Sequence, residues 1–143
     1  MPHTLHPYDA GHAGEAGYGE AAVAALGVDA RQLFKTLVTV VDGTLTVAVV
    51  PVATTLDLKA LAAAAGGRKA AMADPAAAER ATGYVRGGIS PLGQRKALPT
   101  VVDESALDFA TVLVSAGRRG LQVELPPVEL VRLTRARTAP IGR

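Results

Sequence analysis

Residues 37–50 read LVTVVDGTLTVAVV. Two β-branched runs, Leu37–Val41 and Thr44–Val50, flank the dipeptide Asp42-Gly43, which between apolar runs is the strongest short-range signal for a two-residue hairpin. Both runs are almost continuously apolar, so both faces of these strands are expected to be covered. The segment therefore predicts the centre of a sheet that is packed on two sides.

Helices are predicted on either side of this hairpin. Glu20–Leu26 precedes it and is followed by a glycine suited to end a helix. Leu56–Ala65 follows it as an alanine-rich helix. After a short strand at Arg68–Met72, Asp74-Pro75 combines a capping side chain with a proline fitted to the first helical position, and this helix is expected to end near Gly83.

The remaining chain alternates in the same way. Strands are predicted at Ala97–Val102, where Pro99 interrupts the run, and at Thr111–Ser115 and Leu121–Leu125. A last helix is predicted from Pro126-Pro127 to about residue 133. Met1–Leu5 reads as a short strand or an arm. Because helices and strands are intermixed, the pattern favours an α/β fold with a mixed sheet, in one domain over residues 1–143.

Composition limits the chemistry. The chain has 143 residues, 49% of them hydrophobic and only 3% aromatic, so its core must consist of Ala, Val and Leu. It has no cysteine, which excludes disulfides and thiolate metal sites. Residues 1–20 do not read as a signal peptide, and no apolar run is long enough to span a membrane. We therefore expect a cytoplasmic protein.

The charge is unevenly distributed along the chain. The formal net charge is +2, but residues 118–143 carry Arg118, Arg119, Arg132, Arg135, Arg137 and Arg143 against two glutamates. A basic end of this kind suits an anionic partner such as RNA. Equally, these arginines could simply solvate a terminal helix and tail.

Two familiar loop motifs are excluded between Gly88 and Lys96. The glycines Gly88 and Gly93 have the separation of a P-loop, but Gln94 and an arginine follow where that motif needs lysine and a hydroxyl residue. A serine-hydrolase elbow would need its second glycine one place earlier after Ser90. The residue after Ser90 is also a proline, which has no N–H for an oxyanion hole.

A metal site is not predicted. The histidines are His3, His6 and His12, and no acidic residue lies in metal-ligand spacing with them. A strand would also turn His3 and His6 to opposite faces. We expect no metal and no other cofactor.

Three features remain that could serve a binding site. Lys35 stands at the entrance to a buried strand, where it either snorkels to the surface or points into a cleft. Gly87-Gly88 could leave two backbone N–H groups free to face a ligand, or could form an ordinary turn. Ser115 ends a strand beside a glycine-rich turn, where it could line a pocket or act only as a cap.

Together these features resemble the Cys-tRNA(Pro) deacylase (YbaK/EbsC) family. The residues that carry the resemblance follow one another in the family's order and spacing over about residues 18–135. They are Phe34-Lys35-Thr36-Leu37, Leu56-Asp57-Leu58-Lys59, Met72-Ala73-Asp74-Pro75, the segment from Gly83-Tyr84 to Gly93, and Val114-Ser115-Ala116-Gly117 with Arg119-Gly120-Leu121.

The resemblance implies a single editing domain with a mixed, largely antiparallel, barrel-like sheet surrounded by helices, related to the editing domain of bacterial prolyl-tRNA synthetase. It implies an aminoacyl-tRNA deacylase that removes misattached cysteine from Cys-tRNA(Pro), and from Cys-tRNA(Cys) in some members. In that reaction the substrate's own thiol attacks the ester carbonyl, so the protein supplies orientation and charge rather than a nucleophile. The implied partners are the acceptor end of a mischarged tRNA and prolyl-tRNA synthetase.

The resemblance also implies the site residues. Lys35 is the catalytic candidate, and Thr36 shapes the same pocket. Backbone N–H groups of Gly87 and Gly88 would stabilise the oxyanion. The remaining substrate-binding candidates are Ser115, opposite Lys35, and the aromatic pair Tyr8 and Tyr18, which could stack on the terminal adenine.

The sequence departs from the family pattern at three places. An insertion after Tyr8 weakens the register of Tyr8 and Tyr18, Gln122 stands where an acidic residue is common, and the family's leading helix is not apparent. Two alternatives stay open: a deacylase for another mischarged tRNA such as Ala-tRNA(Pro), and a non-catalytic module that binds tRNA or a synthetase.

Overall fold

The predicted hairpin is present in the computed structural model, which describes residues 3–9 and 17–143. Strands β2 (Phe34–Val41) and β3 (Thr44–Pro51) pair antiparallel over their full length. Asp42 has φ 47° and Gly43 has φ 85°, the two positive values that a type I′ turn requires. The turn chemistry and the strand pairing are therefore those predicted from residues 37–50.

The described strands form two sheets. In the five-stranded sheet the order is β4-β2-β3-β5-β8, where β4 is Ala70–Met72, β5 is Thr100–Asp103 and β8 is Arg137–Ala139. The β3–β5 and β5–β8 pairs are parallel and the other pairs are antiparallel. The second sheet is antiparallel, in the order β1-β7-β6, with β1 at Thr4–Pro7, β6 at Val112–Ser115 and β7 at Leu121–Leu125.

A single parallel bridge joins the two sheets. Leu33, just before β2, pairs with Leu113 of β6, and the Leu113 N–H donates to the Gln32 carbonyl at 3.1 Å. The predicted mixed, largely antiparallel α/β fold is confirmed. This bridge brings the edge of β6 against the edge of β2.

The described helices flank these sheets at α1 (Tyr18–Leu26), α2 (Leu58–Ala64), α3 (Pro75–Thr82) and α4 (Pro127–Thr134). Helix α3 begins as predicted, because the Asp74 carboxylate accepts a hydrogen bond from the Ala77 N–H at 3.2 Å. The predicted start of α2 at Leu56 is wrong. Asp57 caps that helix by accepting from the Ala60 N–H at 3.0 Å, so Leu56 lies outside it and pairs with Gly142 instead.

Two predicted strands are shorter than expected. The strand predicted at Ala97–Val102 begins only at Thr100, because Pro99 precedes it and has no N–H to give to a ladder. The strand predicted at Arg68–Met72 begins at Ala70. The N–H groups of Arg68 and Lys69 bind the Asp42 carboxylate at 2.8 and 3.0 Å, so this segment is tied to the hairpin turn before it enters the sheet.

Residues 135–143, for which the sequence predicts no strand, are built into the fold. Strand β8 lies in this segment, and a short 3-10 helix at Glu104–Asp108, also not predicted, lies near its end. Arg143 and Thr55 exchange backbone hydrogen bonds of 2.8 and 2.9 Å, and Ile141 is fully buried. The basic end is therefore partly a structural element.

The hairpin is covered on both faces, as predicted. Val47 and Val49 of β3 face a cluster that includes side chains of β6, β7 and α4. Ala48 and Val50 face the opposite cluster, which includes Leu61 of α2. No helix in the described ranges is long and apolar enough to cross a bilayer.

Candidate active site

A gap in the edge of β2 creates the candidate site. One edge of β2 pairs continuously with β3, whereas the other meets β6 only at Leu33 and β4 only from Val38 onward, where the Ala73 N–H donates to the Val38 carbonyl. A cavity of about 490 Å³ opens along this gap. Residues 33–38 all line it, although strand side chains alternate between faces, because the cavity follows the strand's free edge.

The other walls come from distant parts of the chain. They consist of the end of β1, the start of α1, the start of α3, the loop between α3 and β5, and the facing ends of β6 and β7. The residues are Tyr8, Gly17, Tyr18, Gly19, Glu20, Met72, Ala73, Pro75, Ala78, Glu79, Arg86, Gly87, Ile89, Ser115 and Gln122.

Lys35 lines this cavity in a half-buried position. Its Nζ donates to the Thr54 carbonyl at 2.9 Å, which uses one of three N–H donors. No carboxylate lies within ion-pair distance of Lys35 in the part of the chain that the structure describes. The ammonium of this cavity-lining residue is thus anchored at Thr54 without a countercharge among the described residues.

Two fully buried polar atoms at the cavity have no hydrogen-bond partner among the described residues. They are Oγ1 of Thr36 and Oε1 of Gln122, and both residues line the cavity. Gln122 is only 5% exposed, and its Nε2 makes a 3.5 Å contact with the Tyr8 hydroxyl, at the limit for a hydrogen bond. Buried groups of this kind are normally paired, so each is an unsatisfied polar group in a residue that borders the cavity.

Ser115 and Tyr8 stand next to Gln122. Ser115 is its cross-strand neighbour on β6, and its Oγ accepts a hydrogen bond of 3.3 Å from the Gly117 N–H. The Tyr8 N–H donates to the Gly120 carbonyl at 2.9 Å, which fixes the end of β1 against the turn after β6. Ser115 is therefore both a cap and part of the cavity wall.

Tyr18 and Gly87 meet at the rim of the cavity. A Cβ added to Gly87, whose φ is 84°, would lie 2.6 Å from Cδ2 of the Tyr18 ring. Gly87 must therefore be glycine both for its backbone angle and for this close approach. The hydrogen bonds of the described residues do not use the Gly87 N–H.

The expectation that both glycine N–H groups are free is wrong for Gly88. The Gly88 N–H donates to the Val85 carbonyl at 2.9 Å, and Gly88 is buried outside the cavity lining. A Cβ there would lie 2.8 Å from Cα of Arg118, so this glycine serves close backbone packing. Only Gly87 of the pair reaches the cavity.

Ser90 has a structural position. It is 2% exposed and absent from the cavity wall, and its Oγ accepts from the Leu92 N–H at 3.1 Å. Nearby, the Tyr84 hydroxyl donates to the Leu92 carbonyl at 2.6 Å. The predicted absence of a serine elbow agrees with this arrangement, in which the hydroxyl shapes the loop.

Sequence reasoning missed several residues of the site. Glu79 and Arg86 line the cavity, and the Glu79 carboxylate accepts from the Arg86 N–H at 3.2 Å. Gln122 was left without a role, yet it is a buried part of the wall. The alternation of β7 places Gln122 with Glu124, on the face opposite the core residues Val123 and Leu125, so the sequence indicates a solvent-facing side and only the fold shows that a cavity lies there.

The histidines lie away from the cavity, as far as the structure describes them. His6 pairs with Glu124 at 2.7 Å on the same face of the β1–β7 pair as Gln122, but neither residue lines the cavity, and His12 lies outside the described residues. The hydrogen bond from Thr111 and the His6 contact hold the pKa of Glu124 below its usual value. Within residues 3–9 and 17–143 no cluster of three or more His, Cys, Asp or Glu side chains could hold a metal ion.

Comparison with known proteins identifies relatives. Residues 12–133 match the model of the aminoacyl-tRNA editing domain family. A candidate Cys-tRNA(Pro)/Cys-tRNA(Cys) deacylase, EbsC of Enterococcus faecalis, is 44% identical over 123 residues, which are 85% of this chain and 75% of EbsC.

Solved structures show the same fold. The structure of a candidate trans-editing enzyme for prolyl-tRNA synthetase superimposes with a TM-score of 0.86 at 26% identity, covering 99% of this chain and 87% of the other. A hypothetical protein superimposes with a TM-score of 0.84, also at 26% identity, covering 100% and 93% of the two chains.

Proposed function

Because the chain belongs to the aminoacyl-tRNA editing domain family, we propose that it is a trans-editing deacylase that removes misattached cysteine from Cys-tRNA(Pro). The observation that carries this proposal is the cavity itself. A lysine without a countercharge and two unpartnered buried polar atoms, on Thr36 and Gln122, surround a space of about 490 Å³. Such a site suits a small polar group attached to an anionic chain.

Lys35 is the proposed catalytic residue. Its Nζ is anchored at Thr54, and its remaining donors can bind the terminal nucleotide and the negative charge that develops on the ester oxygen. The Gly87 N–H is a second donor for that oxygen. Thr36, Ser115 and the rings of Tyr8 and Tyr18 complete the proposed substrate contacts.

The substrate supplies the nucleophile in this proposal. The cysteinyl sulfur gives up its proton and attacks the ester carbonyl carbon. The bond between that carbon and the ribose oxygen then breaks, the oxygen takes up a proton to become the free tRNA hydroxyl, and the amino acid leaves as a cyclic thiolactone. The protein's contribution is to hold sulfur and carbonyl close, which can replace a large part of the entropic barrier. Among the described residues, the cavity lining offers no cysteine or histidine for a protein nucleophile–base pair.

A deacylation assay tests the proposal. Wild-type protein should release the amino acid from Cys-tRNA(Pro), and Ser-tRNA(Pro), which replaces sulfur with oxygen, should react far more slowly. Lys35→Ala should lower kcat by about 100-fold or more, the usual loss for one preorganised donor. Lys59→Ala, which removes an exposed lysine on α2, is the matched control and should leave the rate unchanged.

Two results would overturn the proposal. Release from Ala-tRNA(Pro) but not from Cys-tRNA(Pro) would assign a different substrate and a water nucleophile. Binding of tRNA with no turnover of any mischarged species would assign a non-catalytic module. The proposal has three further parts. Prolyl-tRNA synthetase is the proposed partner, the cytoplasm is the proposed compartment, and residues 1–143 are proposed to form one editing domain.

A further inference from the structure

A four-residue turn carries Gly87 into the cavity wall. The Gly88 N–H donates to the Val85 carbonyl at 2.9 Å, Gly87 has φ 84°, and Arg86 is not among the described residues with positive φ. These values define a type II turn with Arg86 and Gly87 at its centre. Flipping the central peptide of a type II turn gives type I, so two orientations of this peptide compete.

The orientation of that peptide decides what the cavity meets. The carbonyl of Arg86 and the N–H of Gly87 belong to one planar trans peptide, so they point in opposite directions. In the observed orientation the Gly87 N–H has no partner among the described residues, while the Arg86 carbonyl points at Arg119. In the flipped orientation the carbonyl oxygen would take the place of the donor and repel a developing oxyanion.

Arg119 binds this peptide from the turn after β6. Its Nε donates to the Arg86 carbonyl at 2.7 Å, and its guanidinium carbon lies 4.6 Å from the centroid of the Tyr18 ring. The same ring packs directly on Gly87. One arginine thus connects the turn with the aromatic side chain that covers it.

We propose that Arg119 is a positioning residue that locks the Val85–Gly88 turn in its type II form, so that the Gly87 N–H faces the cavity as a donor. This inference rests on the proposed deacylase function for its catalytic consequence. It does not place Arg119 in contact with the substrate. The arginine acts through the Arg86–Gly87 peptide and through Tyr18.

Two substitutions separate this role from a simple effect of positive charge on RNA binding. Arg119→Gln keeps an N–H donor at the same number of bonds from the backbone as Nε, but it loses the charge. Arg119→Lys keeps the charge, but it has a methylene group at that position. Arg118→Ala removes a neighbouring exposed charge and serves as the charge control.

Steady-state kcat and KM values for Cys-tRNA(Pro) should distinguish these variants. Arg119→Lys and Arg119→Ala should lower kcat by about 10- to 100-fold, within the range for a misplaced oxyanion donor. Arg119→Gln should keep kcat within about threefold of wild type and raise KM, and Arg118→Ala should do the same. Retained kcat in Arg119→Lys together with a lost kcat in Arg119→Gln would overturn the proposal.

A second measurement does not depend on activity. Crystal structures of wild type and Arg119→Ala should show the Arg86–Gly87 peptide in type II form in the first and flipped or in two conformers in the second. An unchanged type II turn in Arg119→Ala would overturn the inference whatever the rates. If wild type deacylates no mischarged tRNA, the proposed function fails, and the turn conformation still decides the positioning role.

Discussion

Two threonines on β2 offer a matched test of how the cavity is built. Thr36 and Thr39 stand three positions apart on the same strand, and both carry buried hydroxyl groups. The Thr36 Oγ1 has no partner among the described residues, whereas the Thr39 hydroxyl donates to the Thr46 carbonyl at 2.7 Å. Replacing either by valine removes one hydroxyl with little change of shape.

The two substitutions should change stability in opposite directions. A buried polar group without a partner costs about 1–3 kcal/mol, so Thr36→Val should raise the free energy of unfolding by about 1 kcal/mol. For a chain of this size that corresponds to a Tm increase of about 4 °C. Thr39→Val removes a satisfied hydrogen bond and should lower the free energy of unfolding by about 1–2 kcal/mol.

Thr36→Val should lower the deacylation activity although it raises the stability. If its hydroxyl binds the substrate, Thr36→Val should lower kcat/KM by about tenfold, equal to about 1.4 kcal/mol of transition-state binding. Thr39→Val should keep its kcat/KM at temperatures where it is folded. Urea unfolding followed by two probes gives the stability, and deacylation of Cys-tRNA(Pro) gives the rate.

Two results would refute the role given to the Thr36 hydroxyl. If Thr36→Val loses as much stability as Thr39→Val, the Thr36 hydroxyl has a hydrogen-bond partner in solution, and its burial does not cost stability. If Thr36→Val is stabilised yet fully active, the hydroxyl is a defect without a ligand.

Three further predictions concern other buried or partly buried polar groups. Gln122→Met should stabilise the protein by up to about 1 kcal/mol in thermal melts and weaken binding of a non-hydrolysable aminoacyl-adenosine analogue; a loss of stability would contradict the unpartnered Oε1. Burial opposes ionisation of Asp103, but its hydrogen bonds to the N–H groups of Ile141 and Gly142 and to Ser105 hold its pKa below the usual value. Asp103→Asn should therefore lower the free energy of unfolding in urea by about 1–3 kcal/mol. The exposed Asp108→Asn is the control and should lower it by less than about 0.5 kcal/mol. The pKa of Glu124 is lower in the folded than in the unfolded protein, so its contribution to folding stability is present above about pH 4.5 and is lost as the pH falls through the folded pKa. Thr111→Val should reduce this loss of stability at acid pH in urea unfolding. An unchanged pH dependence would show that Thr111 is not the main cause of the lowered pKa.

Local signals in the sequence were sufficient for much of the fold. The hairpin at Asp42-Gly43, the cap at Asp74 and the glycine end of α1 each depend on residues close together in the chain, and each is found as predicted. The start of α2 was missed because Asp57 is also a capping residue and Leu56 reads as a helical position until its pairing with Gly142 is known.

The site was predictable only in part, because its geometry depends on long-range pairing. Lys35 and Ser115 could be selected from their local context, and the fold places both at one cavity. No local pattern shows that β4 and β6 leave part of β2 uncovered, and this gap makes Gln122 a wall residue. Likewise, the Gly88 N–H is used in a turn because Gly87 has a positive φ, and the presence of two glycines in the sequence does not show this.

The length of the gap in the edge of β2 depends on how far β4 pairs along that strand. Phe34–Leu37 is the uncovered stretch, roughly 13 Å long at about 3.3 Å per residue. Each residue added to the pairing of β4 with β2 would close about 3.3 Å of the opening, and each residue removed would lengthen it by the same step. The size of an accepted aminoacyl group could therefore be adjusted in fixed increments by strand length, with the lysine and the glycine turn left in place.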